Sequence, residues 1–379
     1  MSIMDETAQH PPRGRIGMMR AAPRPVTRSG RGVVGAVVAV VGLSCATIAP
    51  HYASATAGMV QGAPAPTGAV GISRAAPVPY GEEAAAGPLR LQVLQVEMGQ
   101  EATDRVVAAN PNNDPPREGI TYVLVDLRVR NEGAQPLPVD GGDFALTGSS
   151  GIVRRFAGAD APDPALHGTV EHGATLEGWV VLTAPVEEQN LLLIFDSLTL
   201  AGNWADRIFA LQEGASVKDA AAPVAPANDA GVDPAAPAGL NAVVITADWK
   251  IELLETVTGA AVFDLVDYRT GALGPDDATG NDADNSVWLA LRLRVTNVHA
   301  GGGPAFLPPN AFTLADESGA PVLDIQTLTP PRPDASATYY PGASGEGWVA
   351  FDVPAAYTAA LIRFLPYATN DDPRYLTYQ

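Results

Sequence analysis

The densest set of oxygen ligands in this chain is the run Asp276-Asp277-Ala-Thr-Gly-Asn281-Asp282-Ala-Asp284-Asn285. Calcium takes about six to eight oxygens, several of them carboxylate. Asp276, Asp277, Asp282 and Asp284 are therefore candidate calcium ligands, with Asn281 and Asn285 as amide donors. The spacing is not that of an EF-hand, because no glycine sits sixth after a leading Asp-x-Asp and no glutamate closes the run. The plainer reading is a solvated loop between strands. Asn370-Asp371-Asp372 could add oxygens if the fold brings it near. The corresponding stretch of the first half, Asn110-Pro-Asn-Asn-Asp114, carries one carboxylate. His167-Gly-Thr-Val-Glu171-His172 holds the donor types of a transition-metal site. Residues five apart fall on opposite faces of an extended chain, which favours two surface histidines. No Gly-x-Ser-x-Gly is present, and the sole thiol, Cys45, lies in an N-terminal apolar run. His299 is the one histidine of the last 140 residues, beside Gly301-Gly-Gly303. These residues give no basis for nucleophilic catalysis, and no phosphate-cradling glycine loop leads into a helix. The chain reads as a non-enzyme with no cofactor beyond that calcium.

Charge narrows the partners. Residues 1–57 hold six arginines against Asp5 and Glu6, a net of +4, while the whole chain carries −19. The remainder is thus strongly acidic, which argues against a nucleic-acid partner. After Arg31, Val33 to Ala49 carries no charge, and Ala55-Thr56-Ala57 follows. A basic lead, an apolar run and an A-x-A site form a secretory signal, with cleavage before Gly58. Retained, the 33–49 run would be a short membrane anchor with its arginine-rich end inside. Gly42-Leu43-Ser44-Cys45 is a variant of the bacterial lipobox and makes Cys45 a lipidation candidate. All three readings place residues 58–379 outside the cytoplasm.

Residues 58–88 and 213–239 are rich in Ala, Pro and Gly and read as a tether and a linker. They flank two segments, 89–212 and 240–379, that share four blocks in one order. Tyr122–Asn131 aligns with Trp288–Asn297 at an offset of 166, and Asp143–Thr147 with Ala311–Ala315 at 168. Gly173–Val180 aligns with Gly342–Val349 at 169, and Pro185/Pro354, Leu192/Leu361 and Phe195/Phe364 keep that offset. A steady offset over four blocks marks an internal repeat. Hydrophobicity alternates with period two in Val123–Val129 and in Trp288–Val295, so these are strands with one wet face. Strands are expected at 89–98, 121–130, 144–147, 178–183 and 191–195, and at 242–256, 287–296, 312–315, 347–353 and 360–364. Turn clusters separate them, and no capped helical stripe follows residue 57. The chain reads as all-β, with two tandem sandwiches of about seven strands each. Trp179, Trp348, Trp249 and Trp288 are expected in the cores. Tyr339, Tyr340, Tyr375 and Tyr378 lie in turn-rich or terminal segments and are the better exposed aromatic candidates, though they too are expected mostly to pack.

A hydrophobic strand ending in Arg-Val-x-Asn, a Phe-x-Leu strand, and Gly-x-x-x-Glu-Gly-Trp-Val followed by a proline recur in both halves. Together they resemble the telokin-like, immunoglobulin-related domain of bacterial lipoproteins and secreted antigens. In that family the Gly-Trp-Val strand corresponds to Gly178–Leu182 and Gly347–Phe351. His172 departs from the usual proline, which Pro341 keeps. The resemblance implies fold and location and carries no ligand site. The chain as a whole reads as a non-catalytic binding or spacer protein of the envelope whose partner is an envelope protein or glycan, met through loops near 110–117, 274–286 and 332–342. Two rivals are a calcium-dependent module and a hydrolase with a site between the sandwiches. The first is separated by melting temperature: a rise between chelator and millimolar calcium sustains the calcium site, and an unchanged value removes it.

Overall fold

A computed structural model describes residues 70–155, 158–196, 206–219, 226–265, 286–299, 304–322, 330–354, 361–366 and 372–378. Cys45, the 33–49 run, Asp276, Asp277, Asp282, Asp284, Asn370 and Asp371 lie outside these residues. The first half contains β1 (Glu83–Ala86), β2 (Leu89–Met98), α1 (Gly99–Ala109), β3 (Ile120–Asn131), β4 (Leu137–Asp140), β5 (Phe144–Thr147), β6 (Ile152–Arg155), β7 (His167–Val170), β8 (Thr175–Pro185), β9 (Leu192–Phe195) and β10 (Arg207–Ala210). The second contains β11 (Val243–Ile245), β12 (Trp249–Thr258), β13 (Ser286–Asn297), β14 (Ala305–Leu307), β15 (Phe312–Ala315), β16 (Ala337–Tyr339), β17 (Ser344–Pro354), β18 (Leu361–Phe364) and β19 (Arg374–Leu376). Among the described residues the chain is all-β apart from α1 and short 3-10 turns.

In the first half, the antiparallel sheet β1-β2-β3-β8 packs on β10-β9-β5-β6. Val125, Leu127 and Val129 of one sheet meet Phe144, Leu146, Leu193 and Phe195 of the other in one buried core. Phe144 and Phe195 lie at a ring-centroid distance of 5.4 Å. The second half repeats the pattern. Its sheets are β11-β12-β13-β17 and β15-β18-β19, and Phe312 and Phe364 lie 4.8 Å apart. The bulge between Val93 and Gln95 in β2 recurs between Leu253 and Glu255 in β12.

Why Glu-Gly-Trp recurs is now visible. Trp179 N donates to Pro164 O and Leu166 N to Trp179 O, while Trp348 N donates to Pro333 O and Ala335 N to Trp348 O. A loop thus lies against the strand at the glycine. A Cβ on Gly178 would come within 2.7 Å of the Ala165 and Leu166 backbone, and one on Gly347 within 2.5 Å of Ala335 N. Asn131 and Asn297, the last residues of the long strands, are fully buried. The Asn131 side chain donates to Gln135 O and Val170 O, and that of Asn297 to Tyr339 O.

Several expectations are corrected. The segment 58–88 is not all tether. Val78 is buried and bridges Phe209, Val78 N donates to Ile208 O, and 83–86 forms β1. Nor is 213–239 all linker: Ala238 bridges Leu376, and Tyr375 N donates to Gly231 O. Gly71/Gly231 and Val78/Ala238 share an offset of 160, and each stretch lies along the edge of a sheet in its own half. Composition misled here because such edges are held by backbone bonds and need few large side chains. The stretch 242–256 is two strands, because Thr246 turns the chain: its N donates to Trp249 O, and its Oγ1 accepts from Trp249 N at 3.1 Å. The outer face of β3 is wet only at one end. Tyr122 and Leu124 are covered by Ala102 and Val106 of α1, a helix whose buried stripe is too short to show a period. Tyr339, Tyr340 and Tyr375 are buried and serve packing. All four named tryptophans are buried, as expected.

Gly62–Gln379 form one compact unit, and a sheet runs across it. β16 of the second half pairs with β6 of the first, Thr338 with Val153 and Tyr339 with Ile152, and β14 pairs beyond β16. Ala145, Leu192, Ile194, Ile208 and Ala210, on the outer face of the first half's second sheet, belong to one apolar cluster with the core of the second half. Gly178→Ala should cost about 1–3 kcal/mol by overpacking. A lowered denaturation midpoint at unchanged m-value would show it.

Candidate functional site

A recess lies where α1 crosses the first sheet. α1 begins without a side-chain cap on Met98; instead Gly99 N donates to Thr121 Oγ1 at 3.1 Å. Its far end is fixed by Asn113, whose Nδ2 donates to Val106 O at 2.7 Å and Asp160 O at 2.9 Å, while Oδ1 accepts from Asp160 N at 2.9 Å. Asn110 Nδ2 donates to Asp160 Oδ2. The amides of the 110–114 stretch are therefore spent on holding the helix, which disfavours it as a cation loop.

Between α1 and the 115–121 stretch lies an open groove of about 570 Å³. Thr103, Asp104 and Val107 line one wall, Pro115, Pro116 and Ile120 the other, and Val186 the rim. Val186 and Met98 are exposed apolar side chains, at 65% and 44%. Asp104 accepts from Gln100 Nε2 at 2.7 Å. The groove offers apolar contact with a few polar atoms at its edge, the chemistry of recognition by shape. The 110–117 loop, expected to face a partner, forms one of its walls.

On the other side of α1, the Arg105 guanidinium lies 4.2 Å from the centre of the Trp179 ring and pairs with Glu97 at 2.6 Å. Glu97 Oε1 also accepts from Gln95 at 2.9 Å, and Oε2 is buried without a hydrogen-bond partner. Asp126 stands beside them in register with Trp179. Burial pushes its carboxyl above the usual range and Glu177 adds repulsion, against the pull of the Leu127 N–H, Arg105 and Arg128. The equivalent of Asp126 in the second half is Arg292, which pairs with Glu346 at 2.8 Å and Glu255 at 3.2 Å. Glu346 is held below the usual glutamate range by hydrogen bonds from Arg292 and Arg294.

The histidines stay apart from these groups. His172 Nδ1 bonds Gly133 O at 2.7 Å, and His167 is exposed on β7. His299 Nδ1 bonds Asp248 Oδ1 at 2.5 Å. Among the described residues no three His, Cys, Asp or Glu side chains gather around a metal position, and no helix is long and apolar enough to cross a membrane. Sequence reading missed α1 and its groove. The exposed apolar Val186 and the Pro115-Pro116 pair were the available signals, and neither is specific.

A family model described as a domain of unknown function (DUF4352) matches residues 78–205, the first sandwich. No curated protein matches the chain. Among solved structures, a "putative lipoprotein" of Bacillus subtilis is 17% identical over 35% of this chain and 38% of its own, with a TM-score of 0.26. The chain therefore spans under two fifths of that protein. The yjhA protein of Bacillus subtilis is 16% identical, with 35% and 98% covered and a TM-score of 0.26. An uncharacterized β-sandwich protein of Clostridium difficile is 11% identical, with 36% and 93% covered and a TM-score of 0.23.

Asp126 yields a signed expectation. Its carboxyl is raised in the fold, so the ionised form costs stability at neutral pH, and the cost fades as pH falls through the folded value. Asp126→Asn should raise the melting temperature at pH 7 by about 1–3 °C. The gain should vanish near pH 3, below the ordinary aspartate value of about 3.9. A calorimetric pH series measures both.

Proposed function

We propose that the chain is a non-catalytic, extracytoplasmic protein of the bacterial cell envelope. It is built from two copies of one telokin-like, immunoglobulin-related domain and binds or spaces neighbouring envelope components. The observation that carries the reading is the strand pairing of β16 with β6, which holds the two sandwiches as one body rather than as beads on a string. A fixed pair of sandwiches suits a protein that presents a face at a set distance and angle. The groove beside α1 is the face we assign to the partner. Its apolar walls suit an extended segment of an envelope protein better than a strongly anionic polymer, which the acidic chain would repel.

Support for the copies comes from matched details: the buried Asn131 and Asn297, the two bulges, the Glu-Gly-Trp loops and the paired edges at Val78 and Ala238. Support for the location comes from the basic lead, the apolar 33–49 run and Ala55-Thr56-Ala57. Intact mass of the native protein, taken from membrane and medium fractions, tests the location. A chain beginning at Gly58 in the medium fits secretion. Retention of 33–49, or a lipidated Cys45, in the membrane fits anchoring. Full-length chain confined to the cytoplasm overturns the reading.

A further inference from the structure

The joint between the sandwiches is asymmetric. The first sandwich offers the β6 edge and the outer face of its second sheet. The second sandwich offers β16 and the turn after it. Tyr340 N donates to Gly151 O at 2.8 Å. Arg74, 3% exposed, closes the seam from three sides. Its Nη1 donates to Gly148 O at 2.8 Å, its Nε donates to Asp219 Oδ1 at 2.8 Å, and its guanidinium lies 3.8 Å from the centre of the Tyr340 ring. At Gly345 a Cβ would meet Ile152 Cδ1 at 2.6 Å and Tyr339 Cε1 at 3.3 Å, so a branched side chain as large as leucine there would have to displace both.

Two like sandwiches joined head to tail leave one face of each kind free. Such an interface can add further copies without closing. In this chain both free faces differ at the positions the joint uses. On the first sandwich, the counterparts of Tyr340 and Gly345 are Glu171 and Leu176, as the register of β8 and β17 aligns them. A leucine fills the space that Gly345 leaves open, and an exposed carboxylate replaces the ring under Arg74. On the second sandwich, Pro321 bridges Ala315 and stands where Val153 does. Proline has no N–H to give a ladder. Pro234 stands where Arg74 does, against Gly319 as Arg74 is against Gly151. The apolar Ala145 and Ile194 become Thr313 and Arg363, which face the same way in β15 and β18.

We infer that the joint is a one-way, self-terminating interface. The β6 face of the first sandwich is specific for the β16 face of the second, and the two faces left over are closed to further copies of this chain. The inference rests on the reading of the chain as two copies of one domain.

Hydrogen exchange on the full chain tests it, with peptides covering 148–155 and 336–343 reporting the joint. Peptides in β3, β8, β13 and β17 report each sandwich alone. In the wild type the joint peptides should be protected. Gly345→Leu should speed their exchange at least tenfold with the sandwich peptides unchanged. Arg74→Ala, which touches neither sandwich core, should do so in the same direction. Unchanged joint exchange in both variants overturns the inference. Unprotected β13 and β17 in the wild type would instead overturn the two-copy reading. Sedimentation across a hundredfold range of concentration should show a monomer throughout, and concentration-dependent chains of copies would overturn the self-terminating part.

Discussion

Each half of the fold has one buried amide where its long strand ends. Asn131 and Asn297 end the longest strands of their halves, and neither reaches water. A buried amide left without partners costs about 1–3 kcal/mol. Its bonds therefore decide where the neighbouring segments run. Asn131 Nδ2 takes the carbonyls of Gln135 and Val170, fixing the end of β7, and Oδ1 accepts from Gly133 N. Asn297 takes the carbonyl of Tyr339. That single bond sets β16 at the angle from which it reaches β6. The Trp249 ring, 5.8 Å from Tyr339 and nearly perpendicular to it, supports the same residue from the core. The joint, the shared sheet and the Arg74 seam all follow from the placement of Tyr339 and Tyr340.

The exposed charges play a smaller part. Arg292 and Arg294 lace β12, β13 and β17 through Glu252, Glu255 and Glu346. Such exposed pairs add little to stability and weaken with salt. Their value here is in register: opposite charges face each other only when β13 and β17 are correctly aligned. The first half keeps a thinner version, Arg128 with Glu177 at 2.5 Å and Gln92 at 2.9 Å. Where Arg292 would complete it stands Asp126, and the room is taken by α1, Arg105 and Glu97. One half has charge across its outer sheet, and the other has a helix and a groove over part of its own.

The long strands were legible because their side chains alternate, and the glycine, tryptophan and asparagine positions because each meets a steric or hydrogen-bonding demand of the backbone around it. What stayed hidden was carried by the backbone. The edges at Val78 and Ala238 need only carbonyls and N–H groups, so Ala/Pro-rich composition read as linker. α1 buries just Ala102 and Val106, too few positions to establish a helical period. Turn residues surround Tyr340 and mask its burial in the sequence, and that burial pushes its hydroxyl pKa up to about 12. One overlooked clue was Leu191–Phe195. An unbroken apolar run of that length belongs to a strand buried on both faces. A sandwich sheet with one face in water would alternate, so the run already implied that something covers the outside of β9.

That cover has a thermodynamic consequence. Residues of β5, β9 and β10 share one apolar cluster with the centre of the second sandwich, and the connector contributes Ala215 to it. Losing either sandwich would expose part of the other's packed surface to water. Heat should therefore not melt the two halves as independent bodies. Their transitions are coupled through the common cluster, and the calorimetric unit of this protein is the pair.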